Sequence, residues 1–267
     1  MRIALGIEYD GSAYHGWQRQ DNAPSVQAVV EAAVGRVADH PVGVVCAGRT
    51  DTGVHATGQV VHFDTPARRP LHAWILGCNS HLPDDVCVRW ARVVPDDFHA
   101  RFKAVERAYR YVIHNTPARP ALGRGRVTWW IKPLDVERMA AAARALVGRH
   151  DFSAFRAAEC QAKSPVRTVH ELSVRRVGEI IYLDARADGF LHHMVRNIAG
   201  VLIEIGAGRR PVEWAAQVLA GRCRAAGGIT APPDGLYLTA VRYPARYGLP
   251  AGGYRPVFGS VGGDGRE

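Results

Sequence analysis

VGVVCAGRTDTGVHATGQVVHFD, residues Val42 to Asp64, is the stretch on which the reading of the fold turns. Two short β-branched runs, Val42–Cys46 and Gln59–Phe63, flank a glycine-punctuated connection, a pattern that predicts two strands joined by a loop. Asp51 falls on that loop, two residues after Arg49. Glycines at 48, 53 and 58 permit backbone torsions that other residues resist and let another group approach closely. An aspartate in such a loop can cap its own backbone. It can equally carry chemistry, because loops on a rigid scaffold often hold active sites. The loop residues alone leave both readings open.

Working toward the N-terminus, Ile3, Leu5, Ile7 and Tyr9 alternate with Arg2, Ala4, Gly6 and Glu8, which predicts a strand ending at a DGS turn. The segment YDGSAYHGWQRQ that follows interleaves aromatics with Arg, Gln and His. It suits either a loop gripping a phosphate backbone or an ordinary turn with a buried Trp17. Ser25 stands as an N-cap before a helix over Val26–Ala38, whose valines and alanines recur at helical spacing. Toward the C-terminus the patterns predict a helix near 71–81 and strands over Val86–Val93 and Tyr109–His114.

A Pro/Gly/Arg-rich connection at 115–126 comes next, and the same kind of pattern restarts beyond it. Asp135–Val147 is an Ala-rich helical stretch, Thr168–Val177 and Ile180–Ala187 alternate as strands, His192–Ala207 has helical spacing, and Leu236–Val241 is a last strand. Strands and helices mix twice over similar lengths, so the expected fold is α+β, built as two similar α+β halves. The expected division is 1–104, 105–245, and a glycine-rich tail over 246–267.

Composition narrows the function. The chain has 267 residues, 47% hydrophobic and 22% charged, which is globular and not disordered. No apolar run is long enough to cross a bilayer, and the start MRIALGIEYDG reaches acidic residues too early for a signal peptide, so a cytoplasmic protein is expected. The five cysteines, Cys46, Cys78, Cys87, Cys160 and Cys223, show neither a disulfide framework nor zinc-ligand spacing and are expected to be buried thiols. His192 and His193 would point about 100° apart on a helix, which argues against a shared metal. The formal net charge is +9, and 31 of the 34 basic residues are arginines. Arginine forks onto phosphate and stacks on bases, so a polyanionic partner fits.

Two further segments can carry chemistry. In ERAYRYVIHN, strand alternation places Tyr109, Tyr111 and Ile113 on one face, either as core or as flat rings for a base. In HHMVRNIAGVLIEIGAG, His193, Arg196, Asn197, Gly200 and Glu204 share one helical face. That face is solvated, or else something approaches closely at Gly200, since a mid-helix glycine costs about 1 kcal/mol relative to alanine. The letters DTG at 51–53 also open the loop of aspartic proteases, but those need a second aspartate loop, and the chain has no other DTG or DSG.

Taken together, these segments resemble the tRNA pseudouridine synthase A family. The family's loop GRTDxGVHxxGQVVHF is complete from Gly48 to Phe63. YDGSxYxGWQRQ with a following SVQ, FHARFxAxxRxYRY, FLHHMVRN and TAPPDGLYL appear in the family's order, and the likeness covers about residues 1–245. The resemblance implies an isomerase that converts uridine to pseudouridine at positions 38, 39 and 40 of tRNA without metal or cofactor, working as a homodimer. It implies two halves around a central, mainly antiparallel sheet with the active site in the cleft between them. It also implies Asp51 as the essential carboxylate, Arg196 as its charge partner, Tyr109 packed on the target base, Arg49 holding the nucleotide out of its stack, and Leu236 lining the pocket. A binder that keeps the architecture without turnover is the competing expectation. Nothing in the residue types decides whether Asp51 acts as nucleophile or base.

Overall fold

In β1 (Arg2–Tyr9), alternation predicts one wet face, yet Ile3, Ala4, Leu5 and Ile7 are all fully buried. The structure, a computed structural model that describes residues 1–250 and 252–258, shows why. β1 lies between two antiparallel neighbours, β3 (His55–Asp64) and β4 (Val86–Val94), and the Trp90 indole covers Gly6 on its second face. Between β1 and β3 come α1 (Val26–Ala38) and β2 (Val45–Cys46), and between β3 and β4 comes α2 (Leu71–His81). Both helices match their expected bounds. α1 packs on α2 and α2 on β4, with Trp74 of α2 meeting Phe63 edge-on at 5.2 Å. Ser25 occupies the N-cap position but makes no side-chain capping bond; its hydroxyl is buried without a partner.

β2 is shorter than the expected Val42–Cys46. Val44 leaves the ladder because its N–H donates instead to the buried Glu31 carboxylate, at 3.0 Å. A charged acceptor outcompetes a ladder carbonyl for that donor.

The chain divides into two compact units, one made of Met1–Arg107 with Tyr237–Arg255, the other of Ala108–Leu236 with the segment from Pro256. The second unit is built from β5 (Glu106–Asn115), which begins in the first, β6 (Thr128–Trp130), α3 (Val136–Arg144), β7 (Gly148–Asp151), β8 (Val166–Val177), β9 (Ile180–Ala187), α4 (Met194–Gly206) and α5 (Trp214–Gly221). Its strands run in the order β5-β9-β8-β7, with β6 parallel to β5. α3 packs on β8 and α4, and α4 on α5. Asp135 caps α3 by accepting from Arg138 N–H at 3.0 Å, so the helix starts one residue later than expected.

β10 (Leu236–Arg242) pairs parallel with β3, Tyr237 opposite His55 and Leu238 opposite Ala56, which gives the first unit the order β4-β1-β3-β10. Among the described residues the ten strands are mostly antiparallel and, with five α-helices, make an α+β fold. Of the tail expected over 246–267, residue 251 and residues 259–267 lie outside the described residues. The part between them is tied down. Gly253 N–H donates to Thr239 O at 2.9 Å, Arg110 donates to Pro256 O at 3.0 Å, and the Tyr182 hydroxyl donates to Phe258 O at 2.6 Å.

α4 corrects one expectation and decides between two others. Helix geometry starts at Met194, because His193 sits at φ 61 in the left-handed region. His192 and His193 are therefore not one helical step apart, and their rings lie 4.0 Å from each other at 40°. On the polar face, the reading that holds is close approach at Gly200. Asn197 and Gly200 are buried, and a Cβ added at Gly200 would lie 1.9 Å from Ile229 O. What approaches the glycine is the chain's own backbone. Gly200→Ala is thus expected to destabilise by about 1–3 kcal/mol through overpacking, despite about 1 kcal/mol of helix propensity gained. A lower urea midpoint would show it; a higher midpoint would mean the 229 segment yields freely.

The five cysteines are free, but only Cys78 and Cys160 are buried, while Cys46 and Cys87 are half-buried. Cys223 is exposed, contrary to expectation, because it lies on the turn just after α5, whose C-cap Arg222 is left-handed. No helix among the described residues is long and apolar enough to cross a membrane.

Candidate active site

In the first unit, the loop between β2 and β3 is braced from several directions. Ala47 N–H continues the ladder to Val60 O at 2.8 Å. Gln59, fully buried, donates its side-chain amide to Gly48 O at 2.6 Å and accepts from Val60 N–H at 3.2 Å. A buried amide must find such partners, so the loop backbone and Gln59 hold each other in place. The Tyr9 and Thr50 hydroxyls meet at 2.8 Å, and Trp17 N–H donates to Thr50 O at 3.0 Å. The register of β1 against β3 shifts between Ile7 and Tyr9, and such an irregularity re-aims a side chain. Gly53, at φ 76, lets the chain turn so that Val54 N–H closes onto Asp51 O at 3.1 Å.

The aromatic turn after β1 is therefore structural. Tyr14 and Trp17 are buried, and Gly53 N–H donates to Tyr14 O at 3.3 Å. Behind the loop, Arg107 donates to Ala47 O at 3.1 Å and to Arg101 O at 2.8 Å. At its far end the buried His55 pairs with Asp10 at 3.1 Å and stacks on Tyr237 at 4.6 Å. The hydrogen bond with His55 holds the Asp10 carboxyl well below the usual range, against the opposing effect of burial. Asp51 is left half-buried and Arg49 exposed.

His62 of β3 fixes the neighbouring segment by accepting from Ala100 N–H at 3.2 Å. Burial, with His99 and Arg2 nearby, pushes its imidazole from 6.5 down to about 4. The unfolded chain then binds more protons than the folded one between those values, so stability falls as pH drops from about 6.5 to about 4. Denaturant midpoints at pH 7 and pH 5 should differ more in the wild type than in His62→Asn. Equal differences would exclude His62 as a source of that pH dependence.

The second unit holds Tyr109, Arg196 and Leu236. Tyr109, on β5, is half-buried, its ring edge-on to Phe190 at 5.1 Å. Arg196, in the first turn of α4, exchanges hydrogen bonds with Ala231: its Nε donates to Ala231 O at 2.8 Å and Ala231 N–H donates back to Arg196 O at 3.1 Å. The TAPPDGL segment is held further by the buried Tyr111 hydroxyl, which donates to Pro232 O at 2.8 Å, and by Val112 N–H to Gly235 O at 2.8 Å. Burial raises the Tyr111 phenol above its ordinary range, so it remains a donor. Leu236, 5% exposed, closes the turn by donating to Pro233 O at 2.8 Å.

Asn197 completes this network. It donates to Phe155 O at 2.8 Å and accepts from Thr230 Oγ1 at 2.6 Å and Arg224 Nη2 at 3.0 Å. Gln59, Tyr9, Arg107, Asn197 and Arg224 were not singled out as site supports. Asn197 carried a signal, on the polar face shared with Arg196 and Gly200, and so did Gln59, as a polar residue at the head of an otherwise apolar strand run.

Comparison with known proteins accords with this architecture. A family model described as tRNA pseudouridine synthase matches residues 6–103 and 142–244. A protein from Pseudomonas aeruginosa named tRNA pseudouridine synthase A is 59% identical over 258 residues, covering 96% of this chain and 90% of its own. Proteins of that name from Nitrosococcus oceani and Legionella pneumophila (strain Lens) are 57% and 53% identical, covering 94% and 97% of this chain and 96% and 98% of theirs. The fold and the motifs mark a class of RNA-modifying isomerases. The chain belongs to the tRNA pseudouridine synthase family.

Proposed function

We propose that this protein converts uridine to pseudouridine at positions 38, 39 and 40 of tRNA, with Asp51 as the essential carboxylate. The observation that carries the reading is the complete GRTDTGVH loop, braced at Gly48, Thr50 and Gly53 so that Asp51 is presented on a rigid turn. A reacting group held by a locked support loses little free energy to disorder.

The reaction breaks the bond from N1 of uracil to C1′ of its ribose and forms one from C5 to C1′. C5 releases a proton and N1 gains one, so no electrons are supplied or removed and no cofactor is called for. Asp51 can start it by attacking C1′ or by taking a ribose proton. A uridine in a stem must leave its stack before C1′ is reachable, which suits Arg49 as the residue that holds the nucleotide out. In this reading Tyr109 packs on the base, Leu236 lines its apolar edge, and Arg196 is the charge partner of Asp51. The protein acts as a cytoplasmic homodimer.

The test is to incubate the pure protein with an unmodified tRNA transcript bearing uridines at positions 38–40, without added metal or nucleotide, and to map pseudouridine by site. Product at those positions supports the reading. Tight, salt-sensitive binding with every uridine unchanged would replace it with an RNA-binding role.

A further inference from the structure

Phe102 is 72% exposed, although side-chain hydrogen bonds tie down the segment that bears it. Ala100 is pinned on both sides, its N–H to His62 Nδ1 at 3.2 Å and its carbonyl accepting from the Tyr243 hydroxyl at 2.7 Å. His99 Nδ1 accepts from the backbone N–H groups of both Arg101 and Phe102, at 3.2 Å each. The His99 ring then lies along the Phe102 ring, centroids 4.2 Å apart and planes 28° apart. One face of Phe102 is thus occupied by an imidazole, the Arg101 guanidinium lies over the ring at 5.8 Å from its centroid, and the residue still remains largely exposed. Burial holds His99 below its ordinary pKa, so at neutral pH it serves as a ring and not as a cation.

Arg101 and Lys103 flank Phe102 in the chain, and the Lys103 ammonium is paired only loosely, 3.9 Å from Asp97. We infer that Phe102 is a stacking platform for a nucleobase of the bound RNA outside the target uridine, with Arg101 and Lys103 facing the adjoining phosphates. Single-stranded nucleic acid is commonly held in this way, by an aromatic face for the base and cations for the backbone. A second copy of this chain would bring net positive charge to Arg101 and Lys103, since the net charge is +9, whereas RNA brings the opposite sign. Arg107 ties the platform to the catalytic loop by bonding Arg101 O and Ala47 O with one nitrogen. A base docked on Phe102 would therefore register the RNA against the loop that carries Asp51. The inference rests on the RNA substrate proposed above.

The experiment uses the full chain and tRNA transcripts carrying 2-aminopurine at one anticodon-arm position at a time. Wild type is expected to quench one position strongly by stacking. Phe102→Tyr should keep that quench and the affinity. Phe102→Ala and Phe102→Leu should lose the quench and raise Kd about tenfold, within the range measured for base–aromatic stacking. Leu behaving as wild type would overturn the inference, because its side chain is apolar but not flat. So would a change in sedimentation for Phe102→Ala with RNA affinity preserved, which would assign the ring to contact between copies. Quench and Kd report binding and not isomerisation. A wild type that quenches but forms no pseudouridine would therefore sink the proposed activity and leave this platform standing.

Discussion

Asp51→Asn is expected to lower the single-turnover rate of pseudouridine formation by about 10³-fold or more, the scale lost when a reacting group is deleted. The affinity for tRNA should change by no more than about threefold, because phosphate contacts supply most of that binding. Asparagine has the size of aspartate, and the loop is held by bonds from other residues. Gln59 holds Gly48, Tyr9 holds Thr50, and Trp17 and Tyr14 hold the backbone. The loss would therefore be one of chemistry and not of fold. Rapid-quench assays with saturating enzyme, alongside filter binding of the same transcript, separate the two. Turnover within tenfold of wild type would remove Asp51 from the catalytic role.

Asp184→Ala should give the largest loss of stability among the changes considered. Arg110 of β5 and Asp184 of β9 form two hydrogen bonds of 2.7 Å each, with side chains only 2% and 6% exposed. The same guanidinium lies over the Tyr182 ring at 4.5 Å and donates to Pro256 O. Removing the carboxylate leaves a buried cation without its counter-charge, which costs about 3–5 kcal/mol. That corresponds to a fall in Tm of roughly 10 °C for a chain of this size. Arg110→Met with Asp184→Leu should recover much of the loss, because two apolar groups need no partner. Thermal unfolding of the three proteins tests this. A single variant within about 1 kcal/mol of wild type, the usual value of a solvated pair, would show that water reaches the site.

Arg110 also shows how far the sequence could be read. Alternation placed it opposite Tyr109 on the same strand, and that placement says nothing of a carboxylate 74 residues away. The elements with a sustained period were legible: α1 at Val26–Ala38, α2 at Leu71–His81 and β9 at Ile180–Ala187 were expected with their observed bounds. β6, β7 and α5 were not expected. Thr128–Trp130 and Gly148–Asp151 are too short to show a period, and Trp214–Gly221 spans barely two turns. The candidate residues Asp51, Arg49, Tyr109, Arg196 and Leu236 came from their motifs, and their supports came only from the folded chain.

By itself the sequence determined the element types, the mixed α+β character and the motif set that identifies the family, since periodicity, turn chemistry and charge are written within a few residues of one another. Tertiary structure alone decided that β10 returns to pair beside β3, that the polar face of α4 is covered by residues 224–231, and that Gln59 and Arg107 brace the Asp51 loop. Each of these is a hydrogen bond or close contact between separate segments of the chain. Its partner is chosen by what burial leaves unsatisfied, and that is settled only when the whole chain has folded.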